Sequence, residues 1–200
     1  QTNQGRVRQN NEDSVDLWVG ERFMMAVVAD GMGGAVAGEE ASRIAIETIR
    51  NMMSDEAASP DAYEGVLEKD LGSKLRASVL QANENIVAQA NDNPDLRGMG
   101  TTLTLAFARQ NEITLAHVGD SRAYLVDGQN GDIEQLTADH SFVQALVDAG
   151  HISPSEAEDH PMSNVLYRAL GQADDIDIDI YEGVRLHIGD RLVLCSDGLT

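Results

Sequence analysis

The stretch that decides the fold is Phe23-Met24-Met25-Ala26-Val27-Val28-Ala29-Asp30-Gly31. Its apolar run has the length of a strand and no polar alternation, so it predicts a central strand buried on both faces. It stops at an acid next to a glycine, and two later strings share that ending. Ala116-His117-Val118 leads to Gly119-Asp120, and Val193-Leu194-Cys195-Ser196 leads to Asp197-Gly198. A carboxylate at a rigid strand end is held in place, and glycine lets a backbone carbonyl or a second group come close. Carboxylates that converge repel one another unless cations lie between them, and oxygen ligands suit hard ions such as Mg²⁺ or Mn²⁺. A single Asp-Gly would mean only a turn. Three acid-terminated apolar strands point further, although convergence in space is not visible in a sequence.

Downstream of this strand, Ala41, Ile44, Ala45, Ile49 and Met52 fall at helical spacing, which predicts a helix over 37–53. Ser59-Pro60-Asp61 reads as the start of a second helix. Leu67, Leu71, Leu75, Ala82 and Ile86 lie on one face of it, and Asn91-Asp92-Asn93-Pro94 ends it. The period then changes to two. Strands are expected over 101–108, 112–118, 122–126 and 191–195, with a hairpin turn at Asp127–Asp132. Another strand is expected where Ile176, Ile178 and Ile180 alternate with acids. Short helices are expected over 141–149 and 155–158, and the loose stretch from Gly150 to Asn164 reads as a mobile insertion. Helices followed by a run of strands predict an α+β domain with antiparallel sheets, not a βαβ alternation.

Composition sets limits. The chain has 200 residues, 42% of them apolar, enough for one domain with a substantial core. No apolar run approaches the ~20 residues needed to cross a bilayer, so no membrane insertion is expected. A net charge of -20 argues against nucleic acid and anionic membranes as partners. It also means that binding an anionic substrate needs a local positive field, which bound cations supply. Solubility or a salty habitat explains the charge equally well. The lone Cys195 permits no internal disulfide, which fits a reducing, cytoplasmic location. A cysteine-phosphatase signature is lacking, because Leu194 stands where that motif needs His. The five histidines show no metal-binding spacing. Asp174, Asp175, Asp177 and Asp179 lack the glycine and terminal Glu of an EF-hand, and Gly31 to Gly34 lack the Lys of a phosphate loop.

Upstream, Arg8, Glu12 and Asp13 stand together in RQNNED. Arginine offers a planar fork to phosphate oxygens, and the two acids could extend a metal shell; alone, such a string is a solvated loop.

Taken together, GRVRQNNEDS, VADGMGGAVAGEEAS, GMGTTL, HVGDSRAYL, LTADHS, RALG and LCSDGLT stand in the order found in the type-2C, metal-dependent (PPM) protein phosphatases. The resemblance runs from about Gly5 to Thr200 and is strongest to the compact bacterial members. It implies an αββα sandwich: two mainly antiparallel sheets flanked by helix pairs. The implied reaction is hydrolysis of phosphoserine and phosphothreonine in proteins, with two Mn²⁺ or Mg²⁺ ions, a bridging water as nucleophile and no phosphoenzyme. On the matching motifs, Asp30 resembles the carboxylate that bridges both metals, and Gly31 lends its carbonyl to one. Asp197 resembles a ligand of the first metal. Glu12 resembles the acid that holds the second, with Asp13 as its supporting neighbour. Arg8 resembles the phosphate-binding arginine. Asp120 and Asp197 resemble the pair that holds a third, weaker metal in bacterial members. Residues 141–164 correspond to the flap beside the active site. The implied partners are phosphorylated proteins and a cognate Ser/Thr kinase, with a monomer as the default.

Two departures accompany the resemblance. Ala35 stands where many bacterial relatives carry a histidine that is a candidate general acid; His140, His117 and a metal-bound water are the candidates to replace it, and the sequence assigns none of them. The chain also stops before the family's last acidic motif, a distal Asp-Asn, and starts without a first strand. Residues 1–200 therefore read as one catalytic domain clipped at both ends. Two other readings remain at this stage: a pseudophosphatase kept as a phosphoprotein-binding module, and an acidic phosphatase for small phosphoesters.

Overall fold

A computed structural model describes residues 2–3, 10–20, 23–57 and 68–199. The expected start of the second helix at Ser59-Pro60-Asp61, its Leu67, and Arg8 lie outside the described residues.

The central strand forms as expected and continues through its acid. β2 runs Phe23–Met32, so Asp30 and Gly31 lie within the strand. It pairs on one side with β1 (Asp13–Val19) and on the other with β4 (Leu103–Arg109), all antiparallel. β5 (Glu112–Val118) and β8 (Asp179–Arg185) complete the row, and the short β3 (Gly100–Thr101) pairs with the end of β2. A second sheet has the order β7-β6-β9, from Ile133–Gln135, Arg122–Val126 and Arg191–Cys195. The α+β class and the two antiparallel sheets match the expectation.

Pleating sorts the two cores. Val27, Leu105 and Ala116 are in register and point to the helix layer. There α1 (Ala35–Ala57) buries Ala41, Ile44, Ala45 and Ile49, and α2 (Glu68–Asp92) buries Leu75, Val79, Ala82 and Ile86. Both sets recur every three or four residues, which is why each helix has a single apolar face. The alternate residues Ala106, Ile113 and Leu115 turn the other way and meet Ala123, Leu192 and Leu194 of the second sheet. One strand row thus serves two cores, which is why its strings have few polar gaps.

Two readings need adjustment. β1 was not legible, because DSVDLWV carries acids at its start. Its outer edge is held from α1, where Arg50 pairs with Asp16 and lies 5.1 Å from the Trp18 ring centroid. The strand expected around Ile176–Ile180 begins only at Asp179. Ile176 and Ile178 are buried in the helix-side core, and pairing with β5 starts only at Asp179, opposite His117. The pairing then continues through Glu182-Gly183, where a bulge opposes Ile113 and Leu115 and Gly183 takes φ +75°.

The stretch from Ser141 is more structured than its composition suggests. α3 (Phe142–Asp148) is capped by the Ser141 hydroxyl, and α4 (Pro154–Glu158) by a capping box between Ser153 and Glu156. Phe142 N–H donates to Val165 O and Tyr167 N–H to His140 O, which pinches this excursion shut at its base.

Candidate metal centre and active site

The carboxylates meet at one end of the sandwich. Register places Asp13 directly opposite Asp30 across β1 and β2, so both side chains emerge on the same face. Asp197, two residues past the end of β9, reaches the same place: its charge and that of Asp13 both act on the Asp30 carboxyl. Ser196 Oγ donates to Asp13 Oδ2 at 3.1 Å, which ties the β9 end to β1. Asp120 follows Gly119, whose φ of +109° turns the chain out of β5. A Cβ on Gly119 would stand 2.6 Å from the Thr102 side chain, so glycine is required here for both angle and space.

These acids are out of balance. Asp30 is pushed up to about 8, first by burial and then by the charges of Asp13 and Asp197. Asp120 is pushed up to about 6, by burial, then by Asp197 and Asp139. Without added positive charge, the cluster can persist near neutral pH only by retaining protons.

Glu12 joins the cluster through a crowded glycine pair. A Cβ on Gly31 would come within 2.1 Å of Gly38 O and 2.7 Å of Glu12 O, so no side chain fits there. A Cβ on Gly38 would stand 2.7 Å from Glu12 Oε2 and 3.0 Å from Gly31 O. The acid and the carbonyl therefore flank one point, in a cradle that a methyl group would fill. Ser42, fully buried in α1, holds this segment by donating to Glu12 O at 2.7 Å. Asp30 is fixed equally firmly through its backbone. Its N–H donates to Thr102 Oγ1 at 3.0 Å, and its carbonyl accepts from Thr101 Oγ1 at 2.9 Å and from Thr102 N–H at 2.9 Å. Thr102 Oγ1 and Ser121 Oγ lie 2.7 Å apart, which links this strand to the Asp120 loop.

The structure thus gathers Glu12, Asp13, Asp30, Gly31, Asp120 and Asp197 at one end of the sheets, while Arg8 lies outside the described residues. Among the described residues, no group of three or more His, Cys, Asp or Glu side chains is placed closely enough to hold a metal ion as it stands. The donors present are carboxylates and the carbonyl beside them, an all-oxygen set that suits a hard cation. Sequence reasoning missed the supporting hydroxyls of Ser42, Thr101, Thr102, Ser121 and Ser196. Their only signal is small polar residues inside otherwise apolar strings.

His117 and His140 are both engaged elsewhere. His117 is wholly buried, with Nε2 3.1 Å from Ala138 O and Nδ1 3.0 Å from Thr104 Oγ1; burial, then His140, lowers its pKa to about 4. His140 Nδ1 accepts from Gly119 N–H at 3.0 Å, which places its proton on Nε2, 3.1 Å from Asp179 Oδ2. Both rings are committed to partners within the fold. Ala35 is the first residue of α1. Cys195 is buried and its thiol is pushed up by burial, opposite to what a nucleophile needs.

Residues 2–200 match the family model described as protein phosphatase 2C. The chain belongs to the protein phosphatase 2C family. The serine/threonine protein phosphatase PstP of Mycobacterium tuberculosis is 42% identical over 200 residues, which is all of this chain and 35% of that protein. The chain thus spans about a third of that relative's length. A serine/threonine phosphatase, stp, of Listeria monocytogenes is 40% identical over 200 residues, covering all of this chain and 76% of that one. The crystal structure of the Mycobacterium tuberculosis phosphatase superposes with a TM-score of 0.83 at 42% identity, over 100% of this chain and 77% of that chain. A structure of the PstP catalytic domain in complex with two manganese ions gives a TM-score of 0.78 at 41% identity, over 100% of this chain and 76% of that chain.

Proposed function

We propose that this 2C-family domain is a metal-dependent protein phosphatase that hydrolyses phosphoserine and phosphothreonine in proteins. The observation that carries the reading is the convergence of Asp13, Asp30 and Asp197, in which the half-buried Asp30 is pushed up to about 8 by desolvation and by the charges of its two neighbours. A protein gains nothing in stability from burying carboxylates together; cations between them change that sign. A pure phosphoprotein-binding module has no need of such a group.

Asp30 would lie between two divalent cations, with Asp197 and the Gly31 carbonyl on the first. Glu12, supported by Asp13, would hold the second. Asp120 and Asp197 would offer a third, weaker site. When bound, such ions activate water and neutralise charge on the transferred phosphoryl group. The residues of the chain fix the geometry: Ser42 holds Glu12, Thr101 and Thr102 hold Asp30, and Ser196 holds Asp13. Arg8 would orient the phosphate with its planar fork. Oxygen donors accept both Mn²⁺ and Mg²⁺. The protein would act in the cytoplasm as a monomer, opposing a Ser/Thr kinase.

The test is phosphate release from a phosphothreonine peptide by the full-length protein, with Mn²⁺ and then with excess chelator. Release that disappears on chelation supports the reading. Failure with metal present, in a protein that binds the peptide, would instead make the domain a binding module. Comparison of kcat/KM for the peptide with that for a small phosphoester separates a protein phosphatase from a general one.

A further inference from the structure

A cavity of about 430 Å³ opens beside this centre. One wall is Met32, two residues beyond Asp30 on the same strand, hence about 7 Å along it. Tyr167 and Arg168 form a second wall, and Gln172, Asp175 and Asp177 a third. The walls are held in place. Leu170 and Thr101 exchange backbone hydrogen bonds at 3.1 and 2.9 Å. The buried Asn83 of α2 accepts from Gly171 N–H at 2.8 Å and donates to Ala173 O at 2.9 Å. Gln172 Nε2 donates to Gly98 O at 3.3 Å. Such a cavity needs little ordering when it is filled.

Its chemistry is one-sided. Among the described residues the only cation in the lining is Arg168, and that guanidinium is turned to Asp179 Oδ1 at 2.9 Å and lies 5.7 Å from the Tyr167 ring centroid. Asp175 and Asp177 stand exposed at the rim. Met32, Tyr167, Leu166 and Ile176 supply the large apolar side chains of the lining. A trough whose lining is part apolar and part acidic complements a side chain with a long aliphatic stem and a cationic head.

We propose that this cavity is a substrate subsite that takes a Lys or Arg near the phosphoresidue, its stem on Met32 and Tyr167 and its head at Asp175 and Asp177. An extended peptide advances about 3.3 Å per residue, so a residue two positions from one held at Asp30 would reach Met32. The subsite would also offset the repulsion between this chain, at -20, and an anionic phosphopeptide. The inference rests on the phosphatase reading above.

The experiment uses the full-length protein with Mn²⁺ and three sets of phosphothreonine peptides, with Lys, Ala or Glu two residues before or after the phosphothreonine. The expected result is kcat/KM roughly fivefold to twentyfold higher for Lys than for Ala on one side, through KM. The double variant Asp175→Asn/Asp177→Asn removes that preference and leaves hydrolysis of a small phosphoester unchanged. A matched double variant on the distant hairpin, Asp132→Asn/Glu134→Gln, changes net charge equally and keeps the preference. Equal rates for Lys and Glu peptides, or a preference that survives in Asp175→Asn/Asp177→Asn, would overturn the subsite. Loss of both peptide and small-phosphoester hydrolysis in the parent protein would overturn the phosphatase reading itself, and the subsite with it.

Discussion

Two polar regions lie next to each other in this domain, and they are balanced in opposite ways. Around His117 and His140, every charge has an internal partner. Asp139 takes a bidentate grip from Arg122, with Nη2 2.7 Å from Oδ2, and Asp179 takes Arg168 at 2.9 Å and His140 at 3.1 Å. Both histidines are driven towards the neutral form by burial. Around Asp30 the charges of the described residues that act on it have one sign, and two of the carboxyls are pushed upward to about 8 and about 6. The first region is complete as folded, whereas the second calls for cations from outside. That difference, more than the number of acids, separates a structural polar network from a reactive centre.

The comparison can be broken most decisively at Asp30. Asp30→Asn should lower turnover on a phosphothreonine peptide about 10³-fold, since it removes the charge proposed to lie between two cations. The same change should raise the melting temperature in chelator, because it relieves repulsion. Near-parental turnover, or a lower melting temperature in chelator, would count against the centre as described. Asp139→Ala should do the reverse. It leaves Arg122 unpaired and should cost about 2–3 kcal/mol in urea unfolding, below the value for a fully buried pair because the Arg122 side chain is 31% exposed. Turnover of the folded fraction should change far less than in Asp30→Asn.

The pH dependence sharpens the contrast. Asp30 has a folded pKa of about 8 against 3.8 for an ordinary aspartate, so the folded state binds the extra proton and loses stability as pH rises through that interval. His117, lowered to about 4 from 6.5, acts in the opposite sense, but only below pH 6.5. Between pH 6.5 and 8, therefore, the melting temperature in chelator should fall. Saturating Mn²⁺ should remove the fall, and a flat profile in chelator would mean that the carboxylates are not packed as described. The smallest effect is expected at His140. His140→Ala leaves Gly119 N–H without its acceptor and should cost about 1–2 kcal/mol in urea unfolding. An equal cost in His140→Gln would mean that the bond to Gly119 contributes little.

Much of this was legible because the relevant physics is local. Apolar runs of strand length marked β2, β5, β6 and β9, and helical periodicity marked α1 and α2. Acid–glycine endings singled out Asp30, Asp120 and Asp197, and the order of the motifs indicated the family. β1 was hidden because it is an edge strand, fixed by register against β2 and by Arg50 from α1 instead of by its own pattern. The bend into β8 was hidden because its start depends on where pairing with β5 begins.

The sequence by itself therefore determined which residues carry charge and which segments are strands or helices, since both follow from side-chain chemistry and period. Only the tertiary structure decided that Asp13 faces Asp30, that Glu12 and Gly31 flank one point over Gly38, and that His117 and His140 are already engaged. Those outcomes depend on pairing register and close backbone approach between segments far apart in the chain, and no local pattern encodes either.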